Sequence, residues 1–403
     1  MFSISSFVLN MTMLATLSPG DFARFGVVQA VTFGGTLLTR PILAEEALID
    51  RRGTDPIFRR ALLRRSAAAG VCLGVAVSAI CFGLGLGNAA VLWGFVVGLV
   101  APVYDLLRYV AVARNRSLTA IAAGALWMAF LVVLVAALSV NSTSGGLFVW
   151  ASASGLAVLV LAFQILPLGR GEAVSAPPSA QLELLTDRAL SALLPVVLLM
   201  VVTGVAGFAE AGSYRAFVTI VSPVYTIGAA TQSVVLVGRG DARLRTMSAA
   251  LAGLALVYGI AILAVLRWLQ EFERVPEALD GRALGVALTV AQAAAVGPSV
   301  VLAGELRRLG YSRALLRVRL VTVGLSVPLV LVGAWWTGAE GAAFVLATLG
   351  IAVSVLYFGE FAVARHADVA SRSQGSKLAE SGRSSLFLLK RPTSKRPARR
   401  GSG

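Results

Sequence analysis

The strongest constraint on this sequence is the recurrence of long apolar segments separated by short connections. A membrane-spanning helix needs about 20 consecutive apolar residues, and segments of that length follow one another through residues 1–365. Charged residues make up only 14% of the chain, against about a quarter in a soluble globular protein. The sequence therefore predicts an all-α integral membrane protein with little room for a soluble domain.

Twelve segments have the length and apolar character of a transmembrane helix. We therefore expect the chain to cross the membrane about twelve times, with both of its ends on the same side. The predicted helices lie at 2–17, 21–48, 66–86, 88–113, 117–140, 146–167, 182–206, 211–237, 247–267, 283–307, 313–336 and 340–364.

Arginines in the connections predict which side of the protein faces the cytoplasm. Alternate connections, beginning with 49–65, carry sixteen arginines, whereas the connections on the opposite side carry five. Cytoplasmic loops of membrane proteins are enriched in Lys and Arg. We therefore expect the arginine-rich connections, and with them the N and C termini, to be cytoplasmic.

Two short motifs indicate an internal repeat. The second predicted helix opens with DFARF at 21–25, and the eighth opens with EAGSY at 210–214. Both motifs read acidic, any, small, any, aromatic, and each lies just outside the membrane at the start of the second helix of its half. A repeat in the same orientation gives two bundles related by an axis along the membrane normal. The sequence thus predicts two parallel six-helix bundles.

The predicted domains follow from this repeat and from a stretch containing Pro and Ser at 175–181. We assign 1–170 to an N-terminal six-helix bundle, 171–181 to a cytoplasmic linker, 182–367 to a C-terminal six-helix bundle and 368–403 to a basic, disordered cytoplasmic tail. From Arg383 onward the tail has seven basic residues and no acidic one. Such a tail either helps to fix the orientation of the protein or binds anionic lipid head groups.

No catalytic motif accompanies the apolar segments. The sequence has no GxxxxGK[ST] phosphate-binding loop, and its single histidine, His366, lies at the end of the last predicted helix. The net charge of +15 lies between the apolar segments and in the tail, which is typical of membrane topology rather than nucleic acid binding. We expect a transporter rather than an enzyme, with no metal, cofactor or nucleic acid partner.

Charged residues within the predicted helices are the candidate binding site, because such residues are costly in lipid and usually face a bundle interior or a wet cavity. Arginines in a vestibule would bind an anionic head group through parallel hydrogen bonds, while neighbouring carboxylates would hold them in the empty site or carry protons. Alternatively, charges near helix ends simply reach the interface. Gln29, Gln232 and Gln292 are either interhelical partners or substrate contacts. The candidate substrate-binding residues are Arg40, Glu45, Asp105, Arg108, Asp187, Arg188 and Arg215.

The turn LSPGDF at 17–22, followed by Phe25, resembles the turn after the first helix of polysaccharide biosynthesis flippases in the multidrug/oligosaccharidyl-lipid/polysaccharide (MOP) superfamily. Ala23 stands where glycine is usual in that family. The turn at 210–214 and the segment TRPILAE at 39–45 also resemble family counterparts. The resemblance implies a V-shaped pair of bundles that alternates between inward and outward openings, and it brings Arg40 and Arg215 to a central cationic cavity.

The resemblance implies a function as well. It predicts a bacterial cell-membrane flippase that moves an undecaprenyl-diphosphate-linked oligosaccharide for polysaccharide biosynthesis. The expected partners are the polyprenyl-linked glycan, anionic membrane lipids at the basic tail, and glycan-assembly proteins. Two alternatives stay open, namely a cation-coupled multidrug exporter of the same superfamily and a membrane glycan polymerase or ligase. Because the carboxylates lie mainly toward the cytoplasmic helix ends, the sequence favours an anionic cargo over a cationic one.

Overall fold

The chain is built from α-helices in a computed structural model, which describes residues 4–40, 56–113, 116–165, 181–237, 242–272, 275–308 and 311–387. A turn of 3-10 helix at Glu277–Leu279 lies in the connection between the eighth and ninth helices. We call 4–165 the first half and 181–387 the second half. The helices are α1 (Ile4–Thr16), α2 (Pro19–Arg40), α3 (Pro56–Gly83), α4 (Gly87–Ala113), α5 (Ser117–Leu138), α6 (Thr143–Ile165), α7 (Gln181–Val237), α8 (Ala242–Glu271), α9 (Ala283–Arg308) and α10 (Ser312–Phe387).

The two longest helices are each broken once by non-helical backbone. In α7 the break is Gly207, with φ 88° and ψ 172°, and in α10 it includes Gly338, with φ 64° and ψ −135°. Glycine adopts positive φ without the steric penalty that other residues meet. The breaks divide α7 into α7a (181–206) and α7b (208–237), and α10 into α10a (312–336) and α10b (339–387).

The α10 break reverses the direction of the chain. The backbones of Gly333 and Gly341 lie so close that a Cβ on either residue would overlap the other residue. In one continuous helix, residues eight positions apart would be about 12 Å apart. The two arms therefore form a helical hairpin, and this break agrees with the boundary that the sequence predicts between 336 and 340.

Eight of the described helices, α3 to α10, are long and apolar enough to cross a membrane, and α1 is a shorter apolar helix. This finding agrees with the expectation of an all-α integral membrane protein. The sequence supports that expectation through its hydropathy pattern alone. In lipid, backbone N–H and C=O groups must be hydrogen-bonded to each other, and only helices and closed barrels achieve this.

Some helix ends differ from the predicted ones. α3 begins at Pro56 rather than at the predicted residue 66. Proline suits the first position of a helix, and the arginine-bearing turns that follow it extend the helix beyond its apolar part. α10 runs to Phe387, so helix extends into the segment that was expected to be a disordered tail from 368. Residues 388–403, and the predicted linker up to residue 180, lie outside the described residues.

Contacts between turns define one end of the molecule, which we call the short-turn end. It holds the α1–α2 and α5–α6 turns, the α8–α9 connection and the breaks in α7 and α10. A surface cavity is lined there by 14–18, Asn141 and 275–277 together, so turns of both halves converge. The opposite end of the helices, which the arginine-bearing segments join, is called the arginine-rich end.

The buried apolar core is shared by the two halves at the short-turn end. One continuous cluster there includes Phe22 and Trp150 of the first half and Phe217 and Leu279 of the second. At the arginine-rich end, every described core cluster belongs to a single half. The first-half cluster is Leu62, Leu106, Leu107, Val110, Ala111, Ala120, Ala123 and Leu161, and the second-half clusters are centred on Leu306 and Val301. The two halves thus pack together at one end, while their described cores are separate at the other.

Candidate functional site

The two repeat motifs meet at the short-turn end. Gly212 of α7b packs against the backbone of Pro19 so tightly that a Cβ on residue 212 would overlap the Pro19 carbonyl. The guanidinium carbon of Arg24 lies 4.9 Å from the centre of the Phe208 ring. Each motif is therefore in direct contact with a residue that lies just before the other motif, across the seam between the halves.

The acidic residue of each motif makes an equivalent contact within its own half. In the first half, Thr143 Oγ1, at the start of α6, donates a hydrogen bond of 2.9 Å to Asp21 Oδ1. In the second half, the backbone N–H of Ala339, at the start of α10b, donates a hydrogen bond of 2.9 Å to Glu210 Oε2. Each acid thus joins the second helix of its half to the beginning of the last one, as a structural repeat requires.

Glu210 is further held by an ion pair with Arg282. Arg282 Nη1 donates to Glu210 Oε2 at 2.7 Å, and Nη2 donates to Oε1. These hydrogen bonds raise the pKa of Arg282 above its usual value, so the pair stays ionised. Gly338 leaves room for the carboxylate, since a Cβ there would overlap Glu210. The bidentate pair ties α7b to both the α8–α9 connection and the α10 break.

Arg215 of α7b crosses the seam and is buried among residues of the first half. Its side chain has only 8% of its surface exposed. Nη2 donates a hydrogen bond of 2.7 Å to Asn10 Oδ1 of α1 and another to Gln29 Oε1 of α2. The guanidinium carbon lies 4.8 Å from the centre of the Phe22 ring and 5.7 Å from that of Phe25. Gln29 is therefore an interhelical partner in this conformation.

Gly26 provides the space that Arg215 fills. The two residues occupy the same position of the repeat, since each directly follows its five-residue motif. A Cβ on residue 26 would overlap the guanidinium group of Arg215. At this position of the repeat, the seam has space for one long side chain. The second half supplies it as Arg215, and the first half has Gly26 instead.

The charge of Arg215 has no carboxylate partner among the described residues. Its hydrogen bonds there go to two amide oxygens, and its buried Nε has no hydrogen-bond partner. Nε2 of Gln29 is also buried without a partner. Because a buried charge without a counter-charge is costly, the cluster favours conformations in which water or an anion reaches Arg215.

A separate cavity inside the first half contains Asp105 and Arg108. It is lined by residues of α1, α2, α4, α5 and α6, and its empty volume, including the mouth open to solvent, is about 490 Å³. Asp105 is buried, and the Arg108 guanidinium carbon lies 5.4 Å from the centre of the Tyr104 ring. Trp127 Nε1 donates a hydrogen bond of 3.0 Å to Ser154 Oγ. The cavity therefore combines aromatic rings with one acidic and one basic group.

The structure divides the predicted binding residues between these places. Arg215 lies at the short-turn end, where the halves share a core, while Asp105 and Arg108 lie in the cavity nearer the arginine-rich end. Arg40 is the last residue of α2, Asp187 and Arg188 lie on α7a, and for these three residues the structure describes the backbone position only. Glu45 falls outside the described residues.

Three parts of the site were missed by sequence reasoning. Asn10 was not singled out, since one amide in an apolar helix gives no signal of its partner. The aromatic residues around Asp105 looked like ordinary core residues. Gly26 carried a usable signal, because aligning the two motifs places it opposite Arg215.

No protein-family model and no curated protein matches the sequence. Several solved structures, however, match the fold. A multidrug resistance MATE family transporter of the MOP superfamily in an inward-facing conformation matches with a TM-score of 0.64 and 13% identity, covering 93% of this chain and 96% of that one. An outward-facing structure of such a transporter matches with a TM-score of 0.62 and 14% identity, covering 92% and 94%. A MOP superfamily transporter from Pyrococcus furiosus, described by a binding pocket of reverse polarity, matches with 0.55 and 15%, covering 91% and 92%. These neighbours are transporters rather than enzymes, and this chain has the fold of the MATE transporters of the MOP superfamily.

Proposed function

We propose that this protein is a membrane transporter that works by alternating access and flips an undecaprenyl-diphosphate-linked oligosaccharide across a bacterial cell membrane. The observation that carries the alternating-access part is the distribution of the core, which is shared at the short-turn end and divided at the other. Packing of this kind would leave a cleft open at the arginine-rich end. The same fold occurs in transporters solved in inward-facing and outward-facing conformations.

Twelve crossings fit the lengths of the apolar helices. The apolar parts of α7 and α10 span 36 and 54 residues, which correspond to about 54 and 81 Å of helix. The hydrocarbon core of a membrane is only about 30 Å thick, and both helices are broken by glycine, so each arm would cross once. With α1 and α2 as further crossings, the two halves would contribute six each.

The distribution of arginines supports a cytoplasmic position for the arginine-rich end. Both termini would then be cytoplasmic, and the conformation described here would be open to the cytoplasm. Arg40, Arg108 and Arg188 lie on helices at or near that open end. In this position they would attract the diphosphate of a lipid-linked glycan before it enters the cleft. Contact of the basic tail with anionic lipids remains a prediction.

The unpaired charge of Arg215 would favour outward movement of an anionic cargo. When the halves separate at the short-turn end, the guanidinium would leave Asn10 and Gln29 and face the outward cleft. A diphosphate could then bind it through parallel charged hydrogen bonds, offsetting the cost of its burial without a counter-charge. Arg215 would thus act as the seal of the inward-open state and as a contact for the anion in the outward-open state.

A multidrug exporter is the second candidate. The observation that favours it is Asp105, which is buried beside aromatic rings, since carboxylates and ring faces together attract organic cations. Two of the structural neighbours are described as multidrug resistance transporters. Against this reading, Arg108 lies in the same cavity and would repel a cation.

Reconstitution can separate the two candidates. Protein in liposomes should accelerate movement of an undecaprenyl-diphosphate-linked saccharide between leaflets, and Arg215→Gln should slow it at least about tenfold, because a charged hydrogen bond contributes about 1.5–3 kcal/mol. Arg40→Ala should reduce export of surface glycan in cells. Arg317→Gln is a matched control, since Arg317 is largely exposed and pairs only loosely with Glu360 at 3.7 Å. Export of a lipophilic cation without movement of the glycan lipid would refute the flippase proposal in favour of the multidrug one.

A further inference from the structure

The surface cavity at the short-turn end lies between the two halves, and we call it the seam cavity. It is lined by 14–18 and Asn141 of the first half and by 275–277 of the second. The volume open to small molecules is about 510 Å³, which is within the usual range for small-molecule sites. The seam cavity therefore has room for a small organic molecule, and such an occupant would touch both halves.

The last turn of α1 gives the seam cavity a wall of backbone acceptors. The carbonyls at the end of an α-helix receive no hydrogen bonds from the helix itself. Residue 19 is proline, which has no N–H to donate to the Ala15 carbonyl, and the Ser18 N–H makes no hydrogen bond to the Leu14 carbonyl. This wall therefore carries the partial negative charge of a helix C-terminus.

The side chains that line the seam cavity add further acceptors. Thr16 Oγ1 donates its proton to the Thr12 carbonyl at 3.0 Å, and Ser18 Oγ donates its proton to Asp21 Oδ2 at 3.0 Å. Both hydroxyl groups have thus used their single protons and can only accept from a ligand. The ionised carboxylate of Glu277, which also lines the cavity, likewise accepts and does not donate.

These groups restrict the chemistry of an occupant. Asn141 can both donate and accept, but the other polar side chains of the lining can only accept, and Glu277 is an acid. An anion would be repelled by this carboxylate and by the end of α1. Leu17, Val275 and Pro276 supply apolar surface. The lining therefore fits a cation that has several N–H donors and an apolar part.

We propose that the seam cavity binds an organic ammonium ion, with its ammonium group between Glu277 and the end of α1 and its apolar part against Leu17 and Pro276. The lining from the two halves forms one cavity only while the halves are packed at this end. A ligand that binds one conformation more tightly shifts the equilibrium toward that conformation. The ammonium ion would therefore hold the halves together and inhibit transport from the outer side. This site goes beyond the proposed function, and it rests on that function only for the alternation and the orientation.

Ligand-observed NMR and spin-label distances on the full-length protein in detergent test the proposal together. Phenethylammonium is the probe, while 2-phenylethanol and phenylacetate are neutral and anionic molecules of similar shape. Phenethylammonium should bind with a Kd on the order of millimolar, at least about threefold more tightly than either analogue, because only the ammonium ion forms an ion pair. Labels on the two halves at the short-turn end should show a growing share of the shorter distance as it is added.

Variants at exposed positions locate the site. Glu277→Lys should weaken binding by about five- to tenfold, because a repulsion replaces an attraction. Ala15→Phe should weaken binding without any change of charge, because the larger side chain fills part of the cavity. Asp280→Lys is the matched control, since Asp280 is an exposed acid of the same connection that does not line the cavity. It changes the net charge equally and should alter the Kd by less than about twofold, because salt screens charges that do not contact the ligand.

The proposal fails if phenethylammonium does not bind, or if 2-phenylethanol binds equally well. Equal weakening by Glu277→Lys and Asp280→Lys would also overturn it, as would unchanged binding in Ala15→Phe, since either result would place the cation elsewhere on the surface. Binding that leaves the distances unchanged would refute the effect on the packed halves. Binding and shortening in a protein that moves no glycan lipid in liposomes would refute the proposed function and leave the site intact. Movement of the lipid without phenethylammonium binding would do the opposite.

Discussion

Replacing Gln29 with leucine should weaken the seam between the two halves at the short-turn end. Gln29 Oε1 accepts a hydrogen bond from Arg215 Nη2, and both side chains are buried. Leucine has a similar size but offers no acceptor, so the guanidinium would gain another unsatisfied donor. The cost applies only to the conformation in which the halves are packed, because in the other conformation water would reach Arg215.

The magnitude follows from the charge of the donor. A hydrogen bond to a charged group contributes about 1.5–3 kcal/mol, and the remaining contacts with Asn10 and the two phenylalanine rings are unaffected. Since about 1.4 kcal/mol corresponds to a tenfold change in an equilibrium, the ratio of outward-open to inward-open protein should rise by about ten- to a hundredfold.

A pair of spin labels can measure this ratio. Asn88 and Glu271 are exposed at the short-turn end, one in each half, and cysteines at both positions would carry the labels after the native Cys72 and Cys81 are replaced. Electron–electron distance distributions should show a longer component that grows in Gln29→Leu. That component should account for most of the protein if the starting populations are comparable.

Gln292→Leu is the matched control. The substitution is chemically the same, but Gln292 lies in α9, where its side chain is against Gly350 of the same half. An unchanged distance distribution in Gln29→Leu would refute the reasoning, and so would an equal change in the control. The first result would mean that the Arg215 contact does not hold the seam, and the second that any loss of a helix amide loosens it.

Three other perturbations have defined expected results. Gly26→Ala should displace the Arg215 guanidinium and lengthen the same spin-label distance, and an unaltered distribution would contradict the close packing at this position. Glu210→Gln should lower thermal stability by about 1–3 kcal/mol through the loss of charged hydrogen bonds, while the exposed Glu277→Gln should not, so equal melting temperatures of the two variants would argue against the ion pair. Reporter fusions after Gly145 and Gly238 should lie outside and inside the cell, respectively, and an external position of the second would reverse the proposed orientation.

The repeat shows how far sequence reasoning reached. The motifs at 21–25 and 210–214 predicted equivalent turns, and the structure places these turns side by side at the seam and gives Asp21 and Glu210 equivalent roles. The breaks at Gly207 and Gly338 fall where the sequence predicts helix ends, because the strain-free use of positive φ is a local property of glycine. The start of α3 was misplaced because apolar length predicts the part of a helix in lipid and not its polar extension.

The arrangement of the candidate binding residues was harder to predict. Charge within apolar helices singled out Arg215, Asp105 and Arg108, yet it could not tell that they lie in two separate places. Their spacing along the chain contains no information about which helices are neighbours. A binding role stays a prediction for all seven residues, and for Arg40, Glu45, Asp187 and Arg188 the structure describes no side chain.

The sequence by itself determined that the protein is helical and integral to the membrane, and it located the two matching turns and the helix ends at which the glycine breaks fall. These properties depend on the composition and conformational freedom of short segments. Only the tertiary structure decided that Arg215 meets Asn10 and Gln29 opposite Gly26, and that, within the described residues, the two halves share their core at the short-turn end and not at the other. Arg215 and Asn10 are 205 positions apart, and contacts over such a separation depend on how whole helices pack rather than on any local pattern.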